Sequence, residues 1–275
     1  MKYRCLVGFF CLFSSRLFAW EITDGVEPGD APPNFWGGNY EAKRTTEKAL
    51  TGNYSLRFHF AGVPIEEDGM SELRFYLPGP ASELFISYDL YIPENYYHRD
   101  TGYGSMNNKS LFQLWSGNYG AVASNVFIGV EQWPTLPGSG EATGDSFPSI
   151  RMGSNGDDLG HTYGSRLDFG EGEHIMRVQD RGTWQNYSAY VKLSDQDNAN
   201  GIVEIYRNGE LVVRKTNIDN YSQRGNFLDR GYLLGWSNSG YTEDTVFYVD
   251  NFSISNEDGR LPPPNAPSQL NVTLE

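Results

Sequence analysis

The sequence predicts an all-β protein built as an antiparallel β-sandwich. Aromatic residues make up 15% of the 275 residues and glycine occurs 31 times, a composition typical of many short strands joined by turns. Apolar side chains recur at every second position over short segments, and clusters of Gly, Pro or Asn separate these segments. A chain of this length can bury one large core, so we expect one β-domain over residues 20–258.

The N-terminal residues 1–19 have the pattern of a secretory signal peptide. Two basic residues precede an apolar run that is too short to cross a bilayer as a helix, and small residues lead to a cleavage site after Ala19. Cleavage removes Cys5 and Cys11, so the mature chain has no thiol for a disulfide or a zinc site. We therefore expect a secreted or periplasmic protein that is not attached to a membrane.

The charge of the chain restricts its partners. The formal net charge is −14, and removing residues 1–19, which contain three basic residues and no acidic ones, takes it to −17. Such a surface argues against nucleic acid as a partner. It also repels anionic polysaccharides on average, so an acidic glycan requires a local basic groove. The alternative is that the charge only keeps a secreted protein soluble.

The first half of the predicted domain contains five regular strands. Residues 20–53, rich in Gly, Pro and acids, are expected to form an N-terminal strand and a long loop. Residues 133–169 are low in aliphatic side chains and predict long loops at the rim, where binding elements often lie. The spacing of the strands suits a sandwich. The predicted strands are 54–60, 72–77, 83–92, 109–115 and 124–130.

The second half begins with an amphipathic strand over 184–193. A second strand over 202–207 leads into Asn208-Gly209, the strongest short-range signal for a hairpin, and the chain returns through 211–213. A closing strand follows over 245–254, and the remaining residues 259–275 form a Pro-rich linker or tail.

Alternation along four of these strands separates an apolar face from a polar one. The polar faces carry side chains that form hydrogen bonds, together with an aromatic ring. If these faces belong to one sheet, they line a groove. The groove would contain His59, Arg74, Lys109, Gln113, Trp115, Tyr190 and Lys192.

These residue types fit β-elimination at a uronate. Arg74 and Gln113 are suited to neutralise the carboxylate, which makes the C5 proton acidic. Tyr190 is the candidate acid and a candidate base, with His59 or Lys192 assisting the proton transfers. The alternatives are that His59 and Lys192 are ordinary surface residues of a strand and that Arg74, with Glu72, takes part in a cross-strand ion pair.

Three short motifs resemble those of the jelly-roll alginate lyases, and the block from Tyr54 to Ser255 resembles concanavalin-like jelly-roll polysaccharide lyases. The motifs are Glu72-Leu-Arg74, Gln113-Leu-Trp115 and Tyr190-Val-Lys192, in the family's order. Trp115 stands where the family has its catalytic histidine, and the Asn-Gln that follows the third motif is absent. The resemblance implies a jelly-roll lyase whose base is another residue, such as His59 or a tyrosine as in glucuronan-lyase-like relatives.

Aromatic side chains are candidates for contacts with sugar rings. Trp115, Trp236 and Tyr241, together with Lys109, are the predicted substrate-binding residues, because exposed rings stack on the apolar faces of sugars. The alternative is that the rings pack in the core or at the rim.

Several other side chains have both a functional and a plain interpretation. Asp250, Asn251 and Glu21 lie near the two chain ends, where terminal strands often pair, and their oxygens suit a structural Ca²⁺ ion. The alternative is that these residues only cap a strand. Two further groups of residues are either parts of simple turns or functional, as a second acid/base pair and a second oxygen-rich loop. These are His161 with Tyr163, and Asp195 with Asp197 and Asn198.

The sequence as a whole favours a secreted, monomeric polysaccharide lyase that acts on a uronate-containing polymer of the alginate or glucuronan type. A non-catalytic carbohydrate-binding or lectin-like module remains the alternative. A glycoside hydrolase needs two carboxylates that face each other across the groove. Glu131 and Glu204 are the candidates for such a pair.

Overall fold

The structure is a computed structural model. It describes residues 19–64, 67–99, 108–117, 124–133, 144–154, 162–164, 174–223, 225–238 and 240–256. Residues 1–18 of the predicted signal segment 1–19 and the whole predicted tail 259–275 lie outside these ranges, so both segments remain predictions.

The described residues form fifteen strands and a short 3-10 turn at Val178–Asp180, and they contain no α-helix. In this part of the chain, no helix is long and apolar enough to cross a membrane. The strands are β1 Glu21–Asp24, β2 Trp36–Tyr40, β3 Ala42–Thr45, β4 Ser55–Phe60, β5 Gly69–Ala81, β6 Glu83–Ile92, β7 Asn108–Gly117, β8 Ser124–Trp133, β9 Phe147–Ser154, β10 Thr162–Gly164, β11 Thr183–Lys192, β12 Gly201–Arg207, β13 Glu210–Ile218, β14 Leu228–Ser237 and β15 Thr245–Ser255.

The strands pair into two antiparallel sheets, which confirms the predicted all-β sandwich. The eight-stranded sheet has the order β13-β12-β11-β6-β15-β4-β3, with β1 also paired to β15. The seven-stranded sheet has the order β10-β9-β8-β7-β14-β5-β2. Side chains from both sheets meet in one core, which contains the fully buried rings of Phe58, Phe75, Phe112 and Phe247. Burying each such ring contributes about 1.5–3 kcal/mol to folding.

All the predicted strands are present, and their alternation is as expected. Phe58 of β4 and Phe75 of β5 point into the core, whereas His59 and Arg74 point out of it. Leu111 is an exception to this alternation. Its side chain lies in the core, whereas that of Gln113, two positions later on the same strand, does not. A register irregularity between Asn108 and Phe112 accounts for this difference.

Two regions differ from the prediction. Residues 133–169 were expected to be loops, yet they contain β9 and β10, and Ile150 of β9 lies in the core. The pattern also predicts no strand over 228–237, where β14 lies at the centre of its sheet between β5 and β7. Both segments owe their conformation to pairing with distant strands rather than to local alternation.

Two local predictions about turns and interruptions have clear structural outcomes. Asn208 and Gly209 have φ values of 52° and 80°, the positive values of a type I′ turn, which confirms the hairpin. The polar interruption of β15 is a bulge: its register shifts between Asp250 and Ser253, and Asn251 has a φ of 50°.

Candidate functional site

Three polar side chains lie side by side on the outer face of the seven-stranded sheet. Tyr232 of β14 is paired with Arg74 of β5 on one side and with Gln113 of β7 on the other. Side chains directly opposite each other in an antiparallel pair have Cβ atoms about 4.5–5.5 Å apart. We call Arg74, Tyr232 and Gln113 the central row.

The buried amide of Gln113 is the most unusual group in the central row. The residue is 0% exposed, and neither its Nε2 nor its Oε1 has a hydrogen-bond partner among the described residues. A buried polar atom without a partner costs about 1–3 kcal/mol. Native proteins rarely tolerate this cost without a function, and the amide offers a donor and an acceptor to a ligand.

Arg74 is held by an ion pair along its own strand. Its Nε lies 2.5 Å from Oε1 of Glu72, whose side chain is buried, while a third of the Arg74 side chain is exposed to solvent. The alternative predicted from sequence was a cross-strand ion pair that includes Glu72; the ion pair with Glu72 forms, but within strand β5. It holds the guanidinium, a group with five donors, on the outer face of the sheet opposite Tyr232.

Aromatic packing and a glycine fix Tyr232. The ring of Trp115 lies 5.6 Å from the ring of Tyr232, and the Cζ atom of Arg74 is 6.0 Å from the Trp115 ring. Gly235 has a φ of 102°, and a Cβ atom there would lie 2.5 Å from Cε2 of Tyr232. A side chain at position 235 would displace the ring, so this glycine is required both by its φ and by the close approach.

Tyr232 is the member of the row that the sequence analysis missed. The signal was a tyrosine between Gly231 and Gly235 in an otherwise apolar segment. Glycine weakens the pattern of a strand, although in a sheet it often marks a close approach. At Gly231, a Cβ would lie 2.5 Å from both the Gln113 carbonyl oxygen and the Phe75 ring.

The other three predicted catalytic residues lie on the eight-stranded sheet. His59 Nε2 is 3.2 Å from Oδ2 of Asp244. The Tyr190 hydroxyl donates to Oε2 of Glu83 at 3.1 Å, and Lys192 Nζ is 3.8 Å from Oε1 of the same glutamate. The prediction of one groove with all seven residues is therefore wrong. Alternation predicts which side chains share a face of a strand, but it carries no information on which sheet the strand joins.

The predicted sugar-binding residues have different environments. Trp115 is 1% exposed and packs on Tyr232, and Tyr241 is 3% exposed and packs on Phe60 in the core. Trp236 is 40% exposed and lies opposite Met70, four residues along β14 from Tyr232 of the central row. Lys109 belongs to β7, but its side chain is outside the described part of the structure. Trp236 thus has the exposure that sugar stacking requires.

The predicted calcium ligands do not come together. Glu21 is exposed and pairs with Ser255, five positions along β15 from Asp250. Asp250 is fully buried and accepts hydrogen bonds from the N–H groups of Leu50, Thr51 and Asn251, at 2.8, 3.0 and 2.8 Å. Among the described residues, no group of three or more His, Cys, Asp or Glu side chains could hold a metal. Asp250 therefore ties the 50–51 loop to β15.

The other candidate sites from the sequence do not form a functional site among the described residues. The loop at Asp195 is a turn in which its Oδ2 accepts from Nδ2 of Asn200 at 2.7 Å. Glu204 lies on the eight-stranded sheet, 3.0 Å from Nε of Arg214, whereas Glu131 belongs to β8 of the other sheet. These two glutamates cannot face each other across one groove. His161 lies outside the described residues, and the structure describes only the backbone of Tyr163.

A cleft of about 460 Å³ lies elsewhere on the molecule and is lined by Gly62, Val63, Pro64, Arg99 and Thr242. Its cation is engaged: Arg99 donates to the carbonyl oxygens of Pro64 and Val63 at 2.9 and 2.7 Å. Among the described residues, the lining contains no carboxylate or imidazole. The central row is the better candidate for chemistry.

The two sheets define a jelly-roll β-sandwich of the class found in alginate and glucuronan lyases. The endo-β-1,4-glucuronan lyase from the fungus Trichoderma reesei is similar, with a TM-score of 0.56 and 11% identity over 90% of this chain and 99% of that chain. Alginate lyase vAL-1 from Chlorella virus has a TM-score of 0.56 and 12% identity over 82% and 93%. A mutant of alginate lyase Aly36B, in complex with alginate tetrasaccharide, has a TM-score of 0.53 and 14% identity over 80% and 85%.

At these identities the likeness is one of fold. No family model and no curated protein matches the sequence.

Proposed function

We propose that this protein is a polysaccharide lyase that cleaves a uronate-containing polymer by β-elimination at the central row. The observation that carries the proposal is the buried amide of Gln113, which has no hydrogen-bond partner among the described residues and lies in the same row as the guanidinium of Arg74. An amide N–H and a guanidinium together can bind a carboxylate and stabilise the charge that develops on it when C5 loses its proton.

Tyr232 carries out both proton transfers, first as the base and then as the acid. Its phenolate oxygen accepts the C5 proton, the electron pair forms the C4–C5 double bond, and the bond from C4 to the glycosidic oxygen breaks. The tyrosine then returns the proton to the departing oxygen, so that atoms and charge balance. The described part of this face has no histidine, and Trp115 occupies the position next to Gln113 on the same face of β7.

Binding requires a change in the exposure of the row. Gln113 and Tyr232 are 0% exposed, whereas Arg74 reaches solvent and Trp236 is exposed. A sugar ring therefore meets Arg74 first, and elimination requires that the amide and phenol become accessible as the polymer binds.

The solved neighbours support a uronate as the substrate, because they include alginate and glucuronan lyases, two of them in complex with alginate oligosaccharides. Secretion through residues 1–19 and a monomeric state remain parts of the proposal that rest on the sequence.

The test is the ultraviolet absorbance of unsaturated uronates during incubation of the mature chain with alginate, glucuronan, ulvan and glycosaminoglycans, with and without calcium. We expect Tyr232→Phe to abolish the absorbance rise. Tyr190→Phe is the matched control, because it removes the same hydroxyl from the eight-stranded sheet, and it should retain activity. Loss in Tyr190→Phe with full activity in Tyr232→Phe would overturn the assignment.

A non-catalytic carbohydrate-binding module is the second candidate, and the full burial of Tyr232 favours it. Such a module would bind one of the polymers and produce no unsaturated sugar. Its binding would depend on Trp236 and remain unchanged in Tyr232→Phe.

A further inference from the structure

We infer that Glu72 is a positioning residue for the proposed reaction: its carboxylate fixes the guanidinium of Arg74 beside Tyr232 and acts on the substrate only through that guanidinium. This inference rests on the proposed function. It gives a role to a buried carboxylate that takes no part in the proton transfers. Two features of the seven-stranded sheet support it, namely the burial of this carboxylate and the location of the guanidinium.

Glu72 is buried, whereas its partner Arg74 reaches solvent. Glu72 is 5% exposed, and it is paired with Tyr40 of β2 on one side and with Leu234 of β14 on the other. Its Oε1 accepts a hydrogen bond from Nε of Arg74 at 2.5 Å. The strands on both sides therefore hold the carboxylate in place, and the carboxylate in turn holds the guanidinium.

Stability alone does not account for this buried carboxylate. Taking a carboxylate out of water costs free energy that an ion pair often only offsets, and an apolar side chain of similar volume is commonly as stable in the same place. An ion pair whose arginine reaches solvent adds little to stability. The pair instead supplies orientation, because a ligand that binds an unrestrained arginine must first fix one of its many rotamers.

The guanidinium lies toward the strand that carries Tyr232. Strands β5 and β7 are both paired with β14, so they are about 9–10 Å apart. The Cζ atom of Arg74 on β5 is nevertheless 6.0 Å from the ring of Trp115 on β7. The two side chains therefore approach each other above β14, on the side where Gln113 lies. A rotamer of Arg74 that points away from β14 would separate the guanidinium from the amide.

The experiment measures how Glu72→Gln and Glu72→Leu change the affinity for the polymer. Both variants carry Tyr232→Phe, so that the polymer is bound but not cleaved, and titration calorimetry gives the dissociation constant for the polymer of the absorbance panel that binds most tightly. Glutamine keeps an oxygen that accepts from Nε but loses the charge, and leucine loses both. We expect the dissociation constant to rise by about tenfold for glutamine and further for leucine, because the guanidinium is no longer fixed. Unchanged values in both variants would overturn the inference.

The melting temperature separates positioning from a structural role. Leucine removes a buried charge while Arg74 can turn to water, so the Tm of Glu72→Leu should equal or exceed that of Glu72→Gln although its affinity is the lower of the two. If Glu72 were only structural, affinity and Tm would fall in the same order. That result would contradict the inference.

A double-mutant cycle tests whether Glu72 acts through Arg74. In Arg74→Gln the guanidinium is absent, so adding Glu72→Gln should change the dissociation constant by less than about twofold. Arg74→Gln alone should weaken binding at least as much as Glu72→Gln alone. A full effect of Glu72→Gln in the absence of the guanidinium would show that the carboxylate affects the substrate by another route and would overturn the inference.

Glu204→Gln is the matched control. The Glu204 side chain is 12% exposed, and its Oε1 lies 3.0 Å from Nε of Arg214 on the opposite sheet. The substitution removes the same charge from the same kind of pair, so it should leave the dissociation constant unchanged. Equal changes in the two variants would show that only net charge matters and would refute the inference. A protein that binds a polymer without forming unsaturated uronate would overturn the proposed function while the cycle still decides whether Glu72 positions Arg74, and binding of no polymer would overturn both.

Discussion

Replacing Gln113 by methionine should make the protein more stable and inactive. Methionine has nearly the volume of glutamine and fills the same buried space, but it removes an amide whose Nε2 and Oε1 have no partner among the described residues. Each unpartnered atom costs about 1–3 kcal/mol, and a volume-conserving change costs less than ~1.5 kcal/mol. We therefore expect the free energy of unfolding to rise by about 2 kcal/mol, or roughly 4–8 °C in Tm for a domain of this size.

The assays are urea unfolding, calorimetry and the rate of formation of unsaturated uronate. If the amide binds the carboxylate in the transition state, kcat/KM should fall by about 100-fold, which corresponds to ~2.7 kcal/mol.

Gln185→Met is the matched control for this prediction. The Gln185 amide is buried to a similar degree, but its Nε2 donates to Thr183 Oγ1 and its Oε1 accepts from Asn208 Nδ2, both at 2.8 Å. The same substitution there should destabilise the protein by about 1–3 kcal/mol. A loss of stability of that size in Gln113→Met would show that its amide is satisfied in the folded protein and would refute the reasoning.

Three further predictions concern stability. Burial lowers the pKa of His98 to about 3, so below pH ~6.5 the unfolded chain gains a proton that the folded protein does not. The free energy of unfolding should then fall by up to about 1.4 kcal/mol per pH unit, a slope that urea titrations should find reduced in His98→Asn. Gly235→Ala should destabilise the protein by about 2 kcal/mol or more and reduce lyase activity, because it strains the backbone and displaces Tyr232; unchanged melting would contradict this. Asp250→Ala should cost about 2–4 kcal/mol, whereas EDTA should leave the melting temperature of the unaltered protein unchanged; a fall in Tm with EDTA would instead support bound calcium.

Much of the fold could be predicted because alternation is a local property. The strand over 83–92 has the predicted bounds, and the Asn208-Gly209 hairpin has the predicted turn. Strand β14 was not predicted, because two glycines interrupt its sequence pattern. In the structure its backbone is also irregular, since Leu234 has a positive φ. It is a strand because β5 and β7 pair with both of its edges.

The sequence alone determined that the protein is a β-sandwich and that Arg74, Gln113 and Trp115 point away from its core, because a strand alternates its side chains with a period of two residues. Only the tertiary structure decided that Tyr232, and not Tyr190, stands between Arg74 and Gln113. In the sequence, Tyr190 lies in an amphipathic strand pattern, whereas Tyr232 lies in an apolar segment interrupted by glycines, so the pattern favours Tyr190. Their difference arises from hydrogen-bond pairing between strands distant in the sequence, which joins β14 to β5 and β7 in the sheet of the central row and β11 to β6 in the opposite sheet.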